Sequence, residues 1–115
     1  MVTKWSIYWA DLNPIKGSEQ SGSRPVLVIS NDIANKLLPV ITILPLSSVK
    51  ENARVYATEI FLAKEVTSLS KISVAMIHQI RTISKDRIDK PCGYINDQRI
   101  RQAINDTIKQ YFELE

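Results

Sequence analysis

Nine polar side chains on predicted loops and strand ends have the chemistry to bind or cleave a polyanion. They are Ser18, Glu19, Gln20, Arg24, Ser47, Ser48, His78, Gln79 and Arg81. Arg24 stands apart because it directly precedes Pro25 and a short apolar run that predicts a buried strand. The strand would fix the backbone of Arg24, and the planar, charged guanidinium group has the geometry to bind two phosphate oxygens. The alternative is a surface arginine that ends a strand or pairs with Glu19, and residue type alone favours it because most arginines are solvated.

The composition excludes several common kinds of active site. His78 is the only histidine and Cys92 the only cysteine, so a zinc site would need carboxylates for most of its ligands. A histidine-containing catalytic triad would have to use His78, and no serine lies in a nucleophile-elbow pattern. A phosphate-binding glycine loop of the P-loop or Rossmann kind is also missing. We therefore expect an activity that uses no metal ion and no cofactor.

Length and composition predict a single domain over residues 1–115. The chain is 44% hydrophobic, which is enough for a core, and its net charge of +3 is only weakly suggestive of a polyanionic partner. The lone Cys92, between Pro91 and Gly93, is predicted to be an ordinary thiol in a turn and fits a reducing compartment. Neither a signal peptide nor an apolar run of about 18 residues is found, so we expect a soluble cytoplasmic protein.

The order of the apolar runs predicts a small, curved, mostly antiparallel β-sheet or barrel with helices attached. The predicted strands are residues 7–12, 25–30, 40–46, 57–62 and 73–80, the last continuing toward residue 82. Pro45 indicates that the third strand lies at an edge or ends there. Residues 15–24 form a polar loop that holds two of the three glycines, and loops of this length are often functional.

The C-terminal segment predicts the longest helix. Its apolar side chains fall at steps of three and four and so form one face: Ile100, Ala103, Ile104, Ile108, Tyr111 and Phe112. Asn96 or Asp97 would cap this helix. One further helical turn is predicted over residues 31–36, with Asn31 or Asp32 as its cap, and a tight turn over residues 84–88.

Aromatic and basic side chains add candidate contacts for an unpaired nucleic acid. Trp5, Tyr8 and Trp9 would offer stacking surfaces, although a place in the core is the expected fate of Tyr8 or Trp9, whichever points inward. Lysines 16, 36, 50 and 71 would contact backbone phosphates, although a solvated position is the ordinary expectation for any one of them.

Two blocks of the sequence resemble the MazF/PemK family of toxins. The first is IYWADLNP at residues 7–14 followed by GSEQSGSRPVLVISND at residues 17–32, and the second is QIRTISKDRI at residues 79–88. The similarity is dense over residues 7–48 and 79–88. The resemblance implies an α+β fold, namely an SH3-like antiparallel β-barrel of the MazF/PemK/CcdB type with a C-terminal helix. It also implies a homodimer with an RNA groove along its interface.

The resemblance assigns roles to individual residues as well. Arg24 matches the catalytic arginine of the family, and Ser47 falls on its second catalytic position, which is usually a threonine. Ser48 is an alternative to Ser47. Glu19 and His78 are both open as the general base, since some relatives carry an acidic residue where this chain has His78. RNA contacts are implied for Ser18, Gln20, Asn31, Gln79 and Arg81.

We therefore expect a sequence-specific, metal-independent endoribonuclease that acts on single-stranded RNA. Attack by the ribose 2′-hydroxyl, which DNA lacks, would leave a 2′,3′-cyclic phosphate and a 5′-hydroxyl. A MazE-like antitoxin would inhibit the enzyme by folding onto its groove. Two alternatives are a gyrase-poisoning CcdB-like toxin and a non-catalytic RNA-binding or regulatory barrel. Arg24 favours the ribonuclease over the gyrase poison, because poisoning gyrase needs no phosphate-directed arginine at this position.

Overall fold

The computed structural model describes residues 1–115 and contains seven strands and three helices. The strands are β1 (Ser6–Asp11), β2 (Ser23–Val28), β3 (Val40–Ser48), β4 (Glu59–Leu62), β5 (Ser73–Met76), β6 (Arg81–Ser84) and β7 (Ile88–Tyr94). The helices are α1 (Asp32–Leu37), α2 (Lys64–Thr67) and α3 (Gln98–Tyr111), with 3₁₀ turns at Ile77–Gln79 and Lys85–Arg87. The expected β-rich α+β class with a C-terminal helix is confirmed. None of the helices has the length and apolar character that a membrane crossing requires.

The longest strand, β3, organises the sheet. Along one edge its first half pairs with β6 and its last residues pair with β5, while its other edge pairs with β2. The strand order is β4-β5-β3-β2-β1-β7, and all of the pairings are antiparallel. Because β4 and β7 do not pair with each other, the sheet is not hydrogen-bonded into a closed barrel.

Pro45 lies inside β3, so the expectation that the strand is at an edge or ends there is wrong. On the edge that faces β5 and β6, Ile43 pairs with Arg81 and Leu46 with Ala75. Pro45 lies between these two pairings, where the neighbouring strand is interrupted by the 3₁₀ turn. Neither the β5 ladder nor the β6 ladder needs an N–H at position 45, so the proline costs neither of them a hydrogen bond.

Two other segments differ from the sequence prediction. The strand expected to run past residue 80 ends at Met76, and the 3₁₀ turn separates it from β6. Pro91 and Gly93, which indicated a turn around Cys92, lie instead within β7. β7 pairs with β1 through an irregular register that shifts on either side of Tyr8, the partner of Pro91. Such bulges accommodate a proline within a sheet, and the one-dimensional pattern does not reveal them.

The two faces of the sheet bury separate apolar clusters. Along β2, Val26 and Val28 belong to a cluster of 7 buried residues, and Leu27 belongs to a cluster of 10. This division follows from the strand geometry, in which successive side chains point to opposite faces. The larger cluster lies under α3 and includes Ile104, which is fully buried.

Helix α3 begins as the sequence predicts. The Asp97 carboxylate accepts hydrogen bonds from the backbone amides of residues 99 and 100, at 2.9 and 3.1 Å. Near its start, the Arg101 guanidinium lies 5.3 Å from the Trp5 ring and 5.4 Å from the Tyr94 ring, which adds cation–π contacts to the packing of the helix. The apolar face is shorter than predicted, because the last turn extends past the core and leaves Tyr111 and Phe112 45% and 49% exposed.

The close approach of β7 to α2 predicts that Gly93→Ala destabilises the fold. An added Cβ would lie 2.3 Å from the Thr67 carbonyl oxygen and 3.2 Å from a methyl carbon of Ile7, so the backbone would have to shift. We expect a loss of about 1–3 kcal/mol in the free energy of unfolding, measured by urea denaturation. Lys90→Ala, at an exposed position of the same strand, is the control. Equal midpoints for the two variants would show that this contact is not tight.

Candidate functional site

The side chain of Arg24 is held by two backbone carbonyl groups. Its Nε donates to the Ser21 carbonyl oxygen at 2.9 Å, and its Nη1 donates to the Leu46 carbonyl oxygen at 3.3 Å. Ser21 belongs to the loop between β1 and β2, and Leu46 belongs to β3, so the half-buried guanidinium joins two elements distant in sequence. An arginine has five N–H donors, and three of them therefore remain available to a ligand. Neither of these partners is Glu19, so Arg24 is not the Glu19-paired surface arginine that the sequence left as an alternative.

Arg24 opens onto a cleft of about 440 Å³, which we call the Arg24 cleft. It is lined by Trp9, Ser23, Arg24, Pro25, Leu46, Ser47, Ser48, Leu69, Ser70, Lys71 and Ser73. Two cations, five hydroxyls and one indole line this cleft, and it contains neither a carboxylate nor an imidazole. Guanidinium, ammonium and hydroxyl groups all donate hydrogen bonds to anionic oxygens, so the lining suits a phosphate.

The structure brings both candidate serines to Arg24. Ser47 and Ser48 end β3, where they pair with Val74 and Ser73 of β5. Ser47 is half-buried and directly follows the carbonyl group that anchors Arg24, whereas Ser48 is exposed and one residue further away. This proximity favours Ser47 as the hydroxyl that acts together with the guanidinium.

Other residues of the Arg24 cleft were not predicted as part of one site. Ser70, Lys71 and Ser73 reach it because β5 pairs with the end of β3, a register that the sequence does not disclose. For Lys71 the sequence alone indicates only a general phosphate contact. Trp9 is 42% exposed and lines the cleft, whereas Trp5 is buried in the core, so of these two only Trp9 offers a stacking surface there.

The loop between β1 and β2 is held by three side chains from residues 79–87. The Gln79 side chain accepts from the Gln20 amide at 3.3 Å and donates to the Ser18 carbonyl oxygen at 3.4 Å. Arg81 donates to the Leu12 carbonyl oxygen at 3.5 Å. Arg87 donates to the carbonyl oxygens of residues 11 and 13. These contacts give Gln79 and Arg81 a structural use, and they hold the loop that supplies one of the Arg24 anchors.

The two candidates for the general base lie in a different cleft. A cavity of about 390 Å³ is lined by Lys16, Ser18, Glu19, His78, Gln79, Ile80 and Arg81, none of which lines the Arg24 cleft. The Glu19 carboxylate accepts a hydrogen bond from the Lys16 amide, and the His78 Nδ1 lies 2.9 Å from the Thr58 hydroxyl. Within one chain, then, Glu19 and His78 are brought together with each other but not with Arg24.

Asn31 lines neither cleft, because its side chain accepts a hydrogen bond from the Ala34 amide and caps α1. Burial raises the pKa of the Cys92 thiol, which disfavours the reactive thiolate. No three histidine, cysteine, aspartate or glutamate side chains lie close enough together to hold a metal ion.

Comparison with known proteins finds similarity along almost the whole chain. A family model described as PemK-like, MazF-like toxin of type II toxin–antitoxin system matches residues 3–112. An endoribonuclease MazF of Staphylococcus saprophyticus is 34% identical over 105 residues, which cover 91% of this chain and 87% of that protein. The Mycobacterium tuberculosis toxin MazF-mt6 has the same fold, with a TM-score of 0.77 at 24% identity over 96% of this chain and 98% of that chain. A mycobacterial endoribonuclease solved with its cognate antitoxin gives a TM-score of 0.78 at 18% identity, covering 100% of this chain and 98% of that chain.

The contacts of Gln79 predict that Gln79→Ala loosens the loop between β1 and β2. Loss of one net hydrogen bond should make the Gln20 amide exchange its hydrogen about 2- to 10-fold faster, as measured by NMR or mass spectrometry. Thr82→Ala, which removes a hydroxyl contact on the exposed surface of β6, should leave the loop unchanged. Identical exchange at Gln20 in all three proteins would mean that Gln79 does not hold the loop.

Proposed function

The chain belongs to the family of PemK-like, MazF-like toxins of type II toxin–antitoxin systems, and we propose that it is an endoribonuclease that cleaves single-stranded RNA at specific sequences without a metal ion. The observation that carries this proposal is the Arg24 cleft. In it the Arg24 guanidinium donates to the carbonyl of Leu46, the residue before Ser47, and keeps three N–H donors that its two anchors do not use, in a lining that has no negative charge. A site built in this way favours a group that gains negative charge as it reacts.

The proposed reaction is an internal transfer at phosphorus. The 2′-hydroxyl oxygen forms a bond to the adjacent phosphorus while the bond from phosphorus to the 5′-oxygen breaks, which leaves a 2′,3′-cyclic phosphate and a 5′-hydroxyl. Arg24 would stay protonated and bind the non-bridging oxygens as their charge increases, while the 2′-hydroxyl gives its proton to water and the departing 5′-oxygen takes one from water. Ser47 would donate a second hydrogen bond to the same phosphate. Because both side chains project from paired strands, they can hold the phosphate in line for attack.

No side chain of the Arg24 cleft is suited to accept the 2′-hydroxyl proton, because the lining contains neither a carboxylate nor an imidazole. Arg24 keeps its own proton at neutral pH and is a poor base. Glu19 and His78 line the other cleft. We therefore propose that positioning and charge stabilisation supply most of the rate. Glu19, Ser18, Gln20 and His78 would then act mainly on neighbouring nucleotides.

The other two readings of the sequence are less well supported. The similar protein from Staphylococcus saprophyticus is an endoribonuclease, which favours RNA over gyrase as the target. The presence of Arg24 and Ser47 in the lining of one cleft argues against a protein of this fold that has lost its activity. We further propose that the toxin is a cytoplasmic homodimer. A MazE-like antitoxin would neutralise it, as the mycobacterial endoribonuclease solved with its antitoxin suggests.

The first functional prediction concerns Arg24→Ala. This variant should lose RNA cleavage by at least about 100- to 1,000-fold, because it removes the main donor to the developing charge. Cleavage of a structureless RNA is measured in EDTA, with circular dichroism to confirm folding. Arg99→Ala, at an exposed position of α3, removes the same charge elsewhere and should be fully active. Normal cleavage by Arg24→Ala would exclude the proposed mechanism.

A second prediction separates the two serines. Ser47→Ala should lower kcat by about 10- to 1,000-fold, as expected for the loss of one hydrogen bond to the transition state. Ser48→Ala should change kcat less than threefold, since its hydroxyl is more exposed and further from the Arg24 anchor. Ser47→Thr, which restores the residue type usual in the family, should keep the activity. The reverse order of effects would assign the catalytic hydroxyl to Ser48.

A further inference from the structure

A second cleft continues from the Arg24 cleft and is rich in lysine. It has a volume of about 630 Å³ and is lined by residues that include Lys50, Glu51, Phe61, Lys64 and Lys71. Ser48, Ser70 and Lys71 line both clefts, so the two clefts adjoin at these side chains, and together we call them the groove. We call the second part the lysine cleft.

The charge of this groove differs from that of the chain as a whole. The chain has 15 lysines and arginines against 12 acidic residues, which is nearly balanced. The groove has four cations, namely Arg24 and three lysines, against the single carboxylate of Glu51. Cations gathered along one groove, and not spread over a solvated surface, indicate a ligand with several negative charges in a row.

Phe61 adds an exposed aromatic ring to the lysine cleft, which a site for anions alone would not need. In β4 its neighbours Ile60 and Leu62 pack against the core, whereas Phe61 points outward and is 40% exposed. An exposed aromatic ring beside lysines is the usual platform for an unpaired base, because the ring stacks on the base while ammonium groups contact the phosphates. An acidic protein segment would use the lysines but would have no particular need for the ring.

We infer that the lysine cleft binds the nucleotides that flank the scissile phosphate of a single-stranded RNA. Lys50 and Lys64 would contact their phosphates, Phe61 would stack on a base, and Lys71 would lie at the junction with the Arg24 cleft. The inference rests on the proposed function in one respect, since it takes the Arg24 cleft as the place of the scissile phosphate. It adds a length of substrate and the residues that recognise it.

The test measures binding, so that it does not depend on cleavage. Fluorescence anisotropy gives the Kd of mixed-sequence 2′-O-methyl oligonucleotides of about four and about ten nucleotides, a range typical for such sites. The proteins are the wild type, the double variant Lys50→Gln/Lys64→Gln, and the matched control Lys109→Gln on the exposed surface of α3. The double variant should bind the longer oligonucleotide at least tenfold more weakly. Its salt dependence should fall by about 1.4 in the slope of log Kd against log salt, about 0.7 for each lost contact.

Phe61 is tested by a series that separates stacking from bulk. Phe61→Leu should weaken binding of the longer oligonucleotide about 5- to 150-fold, whereas Phe61→Tyr, which keeps the ring, should bind as the wild type does. The shorter oligonucleotide should bind all of these variants equally.

Three results would overturn the inference. The first is equal affinity of the double variant and Lys109→Gln for the longer oligonucleotide. The second is an equal loss of affinity for both lengths. The third is a loss for an acidic peptide such as polyglutamate without any loss for RNA, which would assign the cleft to a protein. If the wild type binds RNA with the expected length dependence but cleaves none, the proposed function fails while the lysine cleft stands.

Discussion

The fixed orientation of the Arg24 guanidinium, shared between the Ser21 and Leu46 carbonyl oxygens, is the contact on which the site depends. A long side chain on an open cleft would otherwise sample many rotamers, and ordering it on a ligand would cost free energy. Here the two hydrogen bonds are made before any ligand arrives, and they leave three of the five N–H donors unused. Preorganisation of this kind is what stabilisation of a developing charge requires.

Each anchor in turn depends on a different part of the fold. The Leu46 carbonyl is placed by β3, which changes partner from β6 to β5 around Pro45 and so carries its last residues to the edge of the cleft. The Ser21 carbonyl is placed by a loop that the Gln79, Arg81 and Arg87 side chains hold. The two blocks of sequence that resemble the toxin family contain the second of these regions. The first block includes most of the loop and β2, and the second block includes the Gln79, Arg81 and Arg87 side chains that hold the loop.

The sequence predicts the structural features that depend on residues close together in the chain. The buried run after Arg24, the Asn31 and Asp97 caps and the periodicity up to Ile108 are local, and the structure agrees with them. The break after Met76, the strand through Pro91 and the open sheet depend on pairing between distant segments. For the same reason the sequence does not join Ser70 and Lys71 to Arg24 and Ser47 in one cleft, and it does not reveal that Glu19 and His78 line a different cleft.

The central claim is that the Arg24 guanidinium contacts the scissile phosphate. It is tested most directly by NMR of the protein with isotope-labelled arginine, titrated with an RNA whose mapped scissile nucleotide carries a 2′-O-methyl group and so resists cleavage. The account predicts that the Arg24 side-chain resonances shift on binding, while those of Arg99 on the exposed surface of α3 do not move. Saturating RNA that leaves the Arg24 resonances where they were would contradict it.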